Sequence, residues 1–169
     1  MESIINGTAI AVDKPFVVGD YIKIGNYEGT VIEVKFRCTR IRTPDDSVVT
    51  IQNSTIANSE IVNHSKRTRR REDIILNLQL EINSTVLERI QERLKDVLET
   101  DEEVIKGSVR TFIEKIDTDG IKLKIYLYTN ILDYDEFLQF KTKINLLAIK
   151  VLETEGVKIS YPGKKIYMS

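Results

Sequence analysis

The chain has 169 residues, of which 41% are apolar and 30% charged, and its formal net charge is −1. This length supports one large domain or two small ones, each with its own hydrophobic core. The composition is typical of a folded protein and not of a disordered tail. A net charge near zero excludes a polycation that binds nucleic acid through its overall charge, so any electrostatic function must be local.

The chain contains a single cysteine, Cys38, and a single histidine, His64. One cysteine cannot form an intramolecular disulfide, which favours a reducing compartment. Most zinc sites need several cysteine or histidine ligands, so no metal centre is predicted. No apolar run reaches the length of about 18 residues that a transmembrane helix needs, and the acidic start at Glu2 is a poor secretory signal. We therefore expect a water-soluble polypeptide.

The first third of the chain reads as short strands joined by turns. Apolar residues alternate with polar ones in segments such as 30–36, which is typical of a strand with one buried face. Gly19, Gly25, Asn26 and Gly29 are predicted to occupy turns, and residues 44–47 to form a hairpin loop. Five strands at this spacing predict a small, Sm-like β barrel over residues 14–65. The strands are predicted over residues 16–24, 30–36, 39–42, 48–51 and 60–63.

A charged run from Lys66 to Arg71 has no apolar periodicity, and we place the domain boundary there. After this run the period of the apolar residues changes, and segments with strand spacing alternate with segments with helix spacing. Asn83 or Ser84 is a candidate N-cap for one helix, and Gly156 a candidate C-terminal cap for another. Strands are predicted over residues 71–82, 108–116 and 121–129, helices over residues 84–98 and 134–154, and the start of a further strand at residue 157.

The resulting order βαββαβ predicts a ferredoxin-like domain over residues 66–160, with two helices on one face of a four-stranded antiparallel sheet. Residues 117–120 are predicted to form the tight turn of its hairpin. The Pro162-Gly163 break then precedes a short C-terminal strand within residues 161–169, which needs a neighbouring strand to be stable. The predicted fold class is therefore α+β.

Several segments together resemble the cytoplasmic region of the small-conductance mechanosensitive ion channel (MscS) family. They are Lys14–Ile24, Gly29–Val34, Thr39–Asp46, Val49–Ser54 and Ile61–Ser65. Each segment is a weak signal alone, and their order and spacing carry the resemblance. The residues that match the β-domain motif of the family are Pro15, Phe16, Gly19, Asp20, Gly29, Asn53, Ser54 and Asn63.

The resemblance extends to both ends of the chain. Residues 1–13 resemble the cytoplasmic end of the pore-lining helix of the family, with Asn6, Gly7 and Ile10 ahead of the β domain. Residues 156–162 resemble its closing strand and proline turn. Gln52 and Ser160 stand where family members commonly have proline, and neither departure conflicts with the fold.

The resemblance implies seven copies around an axis, with the β domains in a ring and the α/β domains enclosing a vestibule. Side portals would pass ions and small solutes during osmotic pressure release, and no cofactor is implied. The sheet edges of a five-stranded domain agree with ring closure. The parent protein is expected in the cell membrane, with this region on the cytoplasmic side and transmembrane helices before it. The chain would then be a shortened channel, a fragmentary gene product or a soluble relative.

The charged run offers a candidate functional surface, and three interpretations remain open for it. It could line the vestibule or its portals and steer ions, because clustered charge concentrates counter-ions. It could instead be a solvated linker, or contact phosphates. The residues concerned are Lys66, Arg67, Arg69, Arg70 and Arg71.

Two other classes of function are considered. An Sm-like ring that binds nucleic acid is the main alternative, but single-strand recognition usually uses aromatic platforms, and the basic run contains none. An enzyme or small-molecule sensor is the third possibility. No nucleophile arrangement or phosphate-binding loop supports it, and Cys38 is expected to pack as a small side chain. We therefore expect no catalytic, cofactor or metal residues and no enzyme.

Overall fold

The computed structural model describes residues 15–160, which divide into two compact units between Arg67 and Thr68. We call residues 15–67 the first unit and residues 68–160 the second unit. The predicted pore-helix residues Asn6, Gly7 and Ile10 lie outside the described residues, as does the predicted C-terminal strand. The predicted α+β fold class is confirmed.

The first unit is built on a five-stranded antiparallel sheet with the strand order β4-β3-β2-β1-β5. The five predicted strands are confirmed, whereas a short helix after the fourth strand was not predicted. The elements are β1 (Tyr21–Ile24), β2 (Tyr27–Val34), β3 (Cys38–Arg42), β4 (Val48–Gln52), the helix α1 (Asn53–Ala57), β5 (Ile61–Asn63) and a 3-10 helix (His64–Lys66).

The core of the first unit follows from alternation along the strands, because every second side chain points to the same face. Phe16 and Ile56 close this core from outside the sheet. Its buried members are Phe16, Ile22, Ile24, Val31, Ile41, Ile51 and Ile56. Strands β4 and β5 lie at the two edges of the sheet, and no ladder joins them to each other within residues 15–160.

The prediction that Gly29 occupies a turn is wrong. Gly29 lies inside β2, where it is the register partner of Ile22 in β1. A Cβ atom there would lie only 2.2 Å from the carbonyl oxygen of Arg42. Glycine is therefore needed for a close approach between backbones and not for a left-handed conformation. Gly25, in contrast, lies in the β1–β2 turn with φ of 55°.

The second unit has a three-stranded antiparallel sheet with the order β6-β8-β7 and two helices. Its last described segment lies beside β6, through a bridge between Ile159 and Leu78 and a 2.6 Å bond from Ser160 N to Asn77 O. This placement gives the strand order of a ferredoxin-like fold. The elements are β6 (Arg70–Leu78), α2 (Ser84–Thr100), β7 (Arg110–Asp117), β8 (Gly120–Thr129) and α3 (Tyr134–Thr154).

Short polar contacts fix the ends of these elements. Asn83 is the N-cap of α2, where its side chain accepts a 2.9 Å hydrogen bond from Thr85 N. Asp133 caps α3 by accepting from Glu136 N at 2.9 Å. Gly156 follows α3 with φ of 67°, as expected for a residue beyond a helix C-terminus. The hairpin turn at Asp117–Gly120 is present as predicted.

The sheet of the second unit has two unlike faces. One face packs under both helices and carries the alternating apolar residues of β6 and β8, such as Ile74 and Leu123. The other face has no element of the second unit over it within the described residues, and we call it the open face. It carries Arg71, Asp73, Ile75 and Asn77 from β6, Lys122, Lys124, Tyr126 and Tyr128 from β8, and Arg110 and Phe112 from β7.

Candidate functional site

Four residues tie the start of the described chain to the end of the sheet in the first unit. Asn63 Nδ2 donates to Pro15 O at 3.1 Å and to Asp20 Oδ2 at 2.8 Å. The same Asp20 oxygen accepts from Val17 N at 3.0 Å. We call Pro15, Val17, Asp20 and Asn63 the N-terminal clasp. Three of its four members belong to the β-domain motif, so the clasp explains why those residue types occur at this spacing.

Two other motif residues complete this region. Phe16 is 3% exposed and packs into the core of the first unit. Gly19 has φ of 98°, a conformation that glycine adopts at low cost, and its N–H donates to Val31 O at 2.8 Å. The turn prediction for Gly19 agrees with this geometry. The path of residues 15–20 is therefore fixed by a buried ring, a tight turn and the N-terminal clasp.

Asn53 holds together the turn between β2 and β3 from the start of α1. It is 2% exposed, and its Nδ2 donates to Lys35 O at 2.9 Å and to Phe36 O at 3.1 Å. Its Oδ1 accepts from Thr39 Oγ1 at 3.0 Å. Both ends of this buried amide are thus bonded to the β2–β3 hairpin. Ser54, the next motif residue, follows it in α1, and its carbonyl accepts from Asn58 Nδ2.

The outer edges of β4 and β5 are candidate assembly surfaces. Val48 on β4 is 41% exposed and Val62 on β5 is 49% exposed. A strand at a sheet edge presents unpaired backbone groups that can pair with another chain. The first unit therefore offers two complementary edges, one at each end of its strand order.

Four residues of the basic run contact other parts of their own units. Arg67 Nε donates to His64 O at 2.7 Å. Arg70 donates to Leu132 O through two nitrogens, at 3.0 and 2.6 Å. Arg69 and Arg71 extend along the open face of the second unit.

The open face supplies aromatic partners that the basic run itself lacks. The guanidinium carbon of Arg69 lies 4.4 Å from the ring centre of Tyr128, and that of Arg71 lies 4.3 Å from the ring centre of Tyr126. Arg71 also pairs with Asp73 at 2.6 Å. Cation–π contacts of this kind hold the two guanidinium groups in place while leaving their charge at the surface. Sequence reasoning missed them, because the tyrosines are more than 50 residues away on β8.

Glu72 is a buried carboxyl group on the helix-covered face of the same sheet. The residue is 3% exposed, and its Oε1 lies 3.2 Å from Lys141 Nζ without accepting a well-aligned hydrogen bond. Burial raises the pKa of Glu72, and the Lys141 ammonium group opposes this shift only in part. Ionisation of Glu72 therefore works against folding.

We expect Glu72→Gln to stabilise the protein at neutral pH. A raised pKa in the folded state means that the stability of the wild type falls as pH rises from the unfolded-state pKa through the folded-state value. The glutamine variant lacks this loss, so its free energy of unfolding at pH 7.5 should exceed that of the wild type by about 1 kcal/mol. Urea unfolding of both proteins at several pH values measures the difference.

The advantage of Glu72→Gln should vanish below about pH 4.5, because the carboxyl group is then neutral in both states. Glu92→Gln on the exposed surface of α2 is the matched control and should leave stability unchanged at every pH. If Glu72→Gln stayed more stable than the wild type by the same amount in acid, the charge of Glu72 would not be the cause of the difference.

Other side chains capable of chemistry or ion binding include Cys38, His64 and Lys143. Cys38 is a free, half-buried thiol in β3, and His64 Nε2 lies 3.7 Å from Glu28. A shallow groove of about 550 Å³ beside the end of α2 contains Lys143, which forms ion pairs with Asp101 and Glu103. Among residues 15–160 no group of three or more metal-ligating side chains is suitably placed.

Comparison with known families assigns both halves of the chain. Residues 1–66 match the family described as "Mechanosensitive ion channel, beta-domain". Residues 72–159 match "Mechanosensitive ion channel MscS, C-terminal". The chain therefore belongs to the MscS family of mechanosensitive ion channels, and the resemblance drawn from its motifs is confirmed. This is a family of channels and not of enzymes, which agrees with the expectation that the chain is not an enzyme.

Curated relatives align over almost the whole chain. An uncharacterized MscS family protein of Aquifex aeolicus is 30% identical over 168 residues, which are 99% of this chain and 46% of the relative. The small-conductance mechanosensitive channel MscMJ of Methanocaldococcus jannaschii is 29% identical over 170 residues, 99% of this chain and 48% of the relative. The chain thus spans about half the length of the curated relatives it matches.

Solved structures show the same fold. The cryo-EM structure of Arabidopsis thaliana MSL1 matches with a TM-score of 0.88 and 23% identity, covering 95% of this chain and 58% of that one. The closed-state crystal structure of Helicobacter pylori MscS matches with a TM-score of 0.82 and 24% identity, covering 99% of this chain and 65% of that one. Within residues 15–160 no helix is long and apolar enough to cross a membrane.

Proposed function

We propose that this chain forms the cytoplasmic vestibule of a mechanosensitive channel in the cell membrane. Seven identical copies would form a ring with side portals, through which ions and small solutes pass during osmotic pressure release. The observation that carries the proposal is the consecutive match of residues 1–66 and 72–159 to the two cytoplasmic modules of one channel family. The family match does not favour the alternative, an Sm-like ring that binds nucleic acid.

The sheet edges of the first unit support assembly into a ring. Strand β4 of one copy can pair with β5 of the next, since both edges lack a neighbouring strand within the described part of this chain. Such a contact joins two different surfaces, and a head-to-tail contact of this type closes into a ring when the rotation between copies is suitable. Closure leaves no copy with an unpaired edge.

The N-terminal clasp supports a mechanical connection to the segment that precedes residue 15. Hydrogen bonds from Asn63 fix Pro15 and Asp20 to the end of β5, the strand beside β1. Movement of the preceding segment is thereby passed to a folded unit and not to a flexible tether. We place the predicted pore-helix residues Asn6, Gly7 and Ile10 in that preceding segment.

The arginines of the open face support a role in steering ions. Arg69 and Arg71 keep their charge at the surface while the tyrosine rings fix their positions. Clustered positive charge raises the local concentration of anions. We therefore assign the vestibule or portal charge predicted from the basic run mainly to Arg69 and Arg71, with Lys66, Arg67 and Arg70 beside them.

The mass of the protein in solution tests assembly, and Thr50→Pro tests the proposed edge. Asn53 N–H donates to Arg37 O on the β3 side, so alternation directs the N–H of Thr50 away from β3. Proline at residue 50 removes that outward donor without removing a bond to β3. We expect light scattering to give seven times the mass of one chain for the wild type, and a monomer for Thr50→Pro.

Thr50→Ala is the matched control, because it changes the same side chain and keeps the N–H. It should assemble like the wild type. Circular dichroism melting should show that both variants fold. A strictly monomeric wild type at high concentration would contradict autonomous assembly, and an assembled Thr50→Pro variant would contradict the use of the β4 edge.

A further inference from the structure

The outward surface of α3 carries a second apolar stripe that the core of the second unit does not use. Six residues recur at intervals of three or four along this side of the helix: Asp135, Leu138, Thr142, Leu146, Ile149 and Glu153. Leu138, Leu146 and Ile149 are 43%, 53% and 37% exposed. We call these six residues the outer stripe. It has an apolar centre and an acidic residue at each end.

The neighbouring helix shows that this pattern is not general in the second unit. The outward positions of α2 are polar or charged, as in Glu88, Glu92 and Asp96. A helix that is apolar on both sides is typical of one that is covered on both sides. The outer stripe therefore indicates a contact surface and not a solvated helix face.

The open face, on the opposite side of the same unit, has the complementary composition. Ile75 is 52% exposed and Phe112 is 40% exposed, and both are register partners of Lys124 on the central strand. Cations surround this apolar centre. They are Arg110, Lys115, Lys122 and Lys124, and the acids paired with them are Glu114 and Asp117. Arg69 and Arg71 lie toward the other end of the open face, over Tyr128 and Tyr126, and we leave them outside the proposed contact.

We propose that the outer stripe of α3 in one copy docks on the open face of the second unit in the next copy. Leu138, Leu146 and Ile149 would cover Ile75 and Phe112, while Asp135 and Glu153 approach the surrounding cations. This inference rests on the proposed ring and adds to it the surfaces by which the α/β units meet. A two-layer unit that repeats in this way covers each open sheet with the helices of its neighbour.

Charge repulsion disfavours the two symmetric arrangements, in which identical surfaces of two copies meet. Two outer stripes face to face would bring Asp135 and Glu153 of both copies together. Two open faces would bring together the cations of both copies, which outnumber the acids paired with them. Juxtaposed like charges are costly at an interface. The head-to-tail arrangement pairs acids with bases, and it belongs to the class of contact that generates rings.

Cysteine cross-linking of the full chain tests the contact. In a Cys38→Ser background, Leu146→Cys is combined with either Phe112→Cys or Ile75→Cys. The two cysteines of one copy lie on opposite faces of the unit, so they cannot join within a copy. We expect mild oxidation to give a ladder of covalent oligomers from at least one of the two pairs. The matched control combines Glu92→Cys on α2 with Phe112→Cys and should give no ladder.

Mass measurement on the reduced proteins separates this inference from the proposed ring. An assembled protein without cross-links from either pair would overturn the docking contact and leave the ring intact. A monomeric protein would overturn both. Leu146→Glu places a charge in the apolar centre without changing the core, and should weaken self-association at least tenfold, on the order expected for losing one buried leucine. Unchanged association of this variant would also overturn the contact.

Discussion

Gly29→Ala is expected to unfold the first unit, with a loss of at least about 3 kcal/mol in its free energy of unfolding. The new Cβ would lie 2.2 Å from Arg42 O, 2.7 Å from Arg42 C and 3.0 Å from Thr43 Cα. All three atoms belong to the backbone of β3 and the turn after it, so no side-chain rotation relieves the overlap. Strands β2 and β3 must separate, and the centre of the sheet is lost.

Hydrogen exchange measured by mass spectrometry is the suitable assay, because it reports on each unit separately. Peptides from β2 and β3 should lose protection in Gly29→Ala, whereas those from β6 and β8 should keep it. Gly25→Ala is the matched control, since a Cβ there meets nothing within 4 Å. It should cost only about 1 kcal/mol, from the left-handed backbone. Equal effects at both positions would contradict the close-approach explanation.

Asn53→Ala is expected to destabilise the first unit by about 3 kcal/mol, since it removes three hydrogen bonds made by a buried side chain. The carbonyls of Lys35 and Phe36 lose their donor, and the hydroxyl of Thr39 loses its acceptor. Since these groups surround the β2–β3 turn, the loss of protection from hydrogen exchange should be largest in that hairpin. Urea unfolding gives the magnitude, and hydrogen exchange gives the location.

Two further substitutions sharpen this test. Asn58→Ala removes an exposed asparagine from the end of the same helix, and its single bond to Ser54 O should be worth less than about 1 kcal/mol. Asn53→Asp has the shape of asparagine but turns an acceptor toward two carbonyl oxygens. At neutral pH, Asn53→Asp should lower the free energy of unfolding at least as much as Asn53→Ala does. A stable Asn53→Asp protein would show that the amide is not needed as a donor.

Much of the fold could be predicted from periodicity. In the strands of the first unit and in the long helix α3, apolar residues recur at the spacing expected when one side of the element packs on a core. In α3 the apolar stripe from Phe137 to Val151 marks that side. Helix α1 was missed because five residues are too few to show a helical period. Gly29 was misplaced because a glycine in a strand and a glycine in a turn are identical in sequence. The difference appears only in the folded structure, where the backbone of Arg42 occupies the space that a Cβ atom at residue 29 would need.

The candidate site was harder to predict, because its parts come from distant segments. The motif contained Asp20, Asn53 and Asn63, but their hydrogen-bond partners follow from strand order and not from spacing along the chain. The basic run lacked aromatic residues in sequence, and β8 supplies them only after folding. The outer stripe of α3 was readable from the spacing of Leu138, Leu146 and Ile149. It was overlooked because the first stripe already accounted for a buried helix face.

The strand order of the first unit places its incoming and outgoing chain side by side, because β1 is next to β5. The N-terminal clasp joins the two directly, and Ser65 Oγ accepts a further bond from Tyr21 N at 2.8 Å. A pull on the chain ahead of residue 15 therefore reaches the chain beyond residue 63 through a few short bonds, without shearing the strands in between. Because these bonds lie at the β1–β5 side of the sheet, such a pull would bypass the hydrophobic core of the first unit.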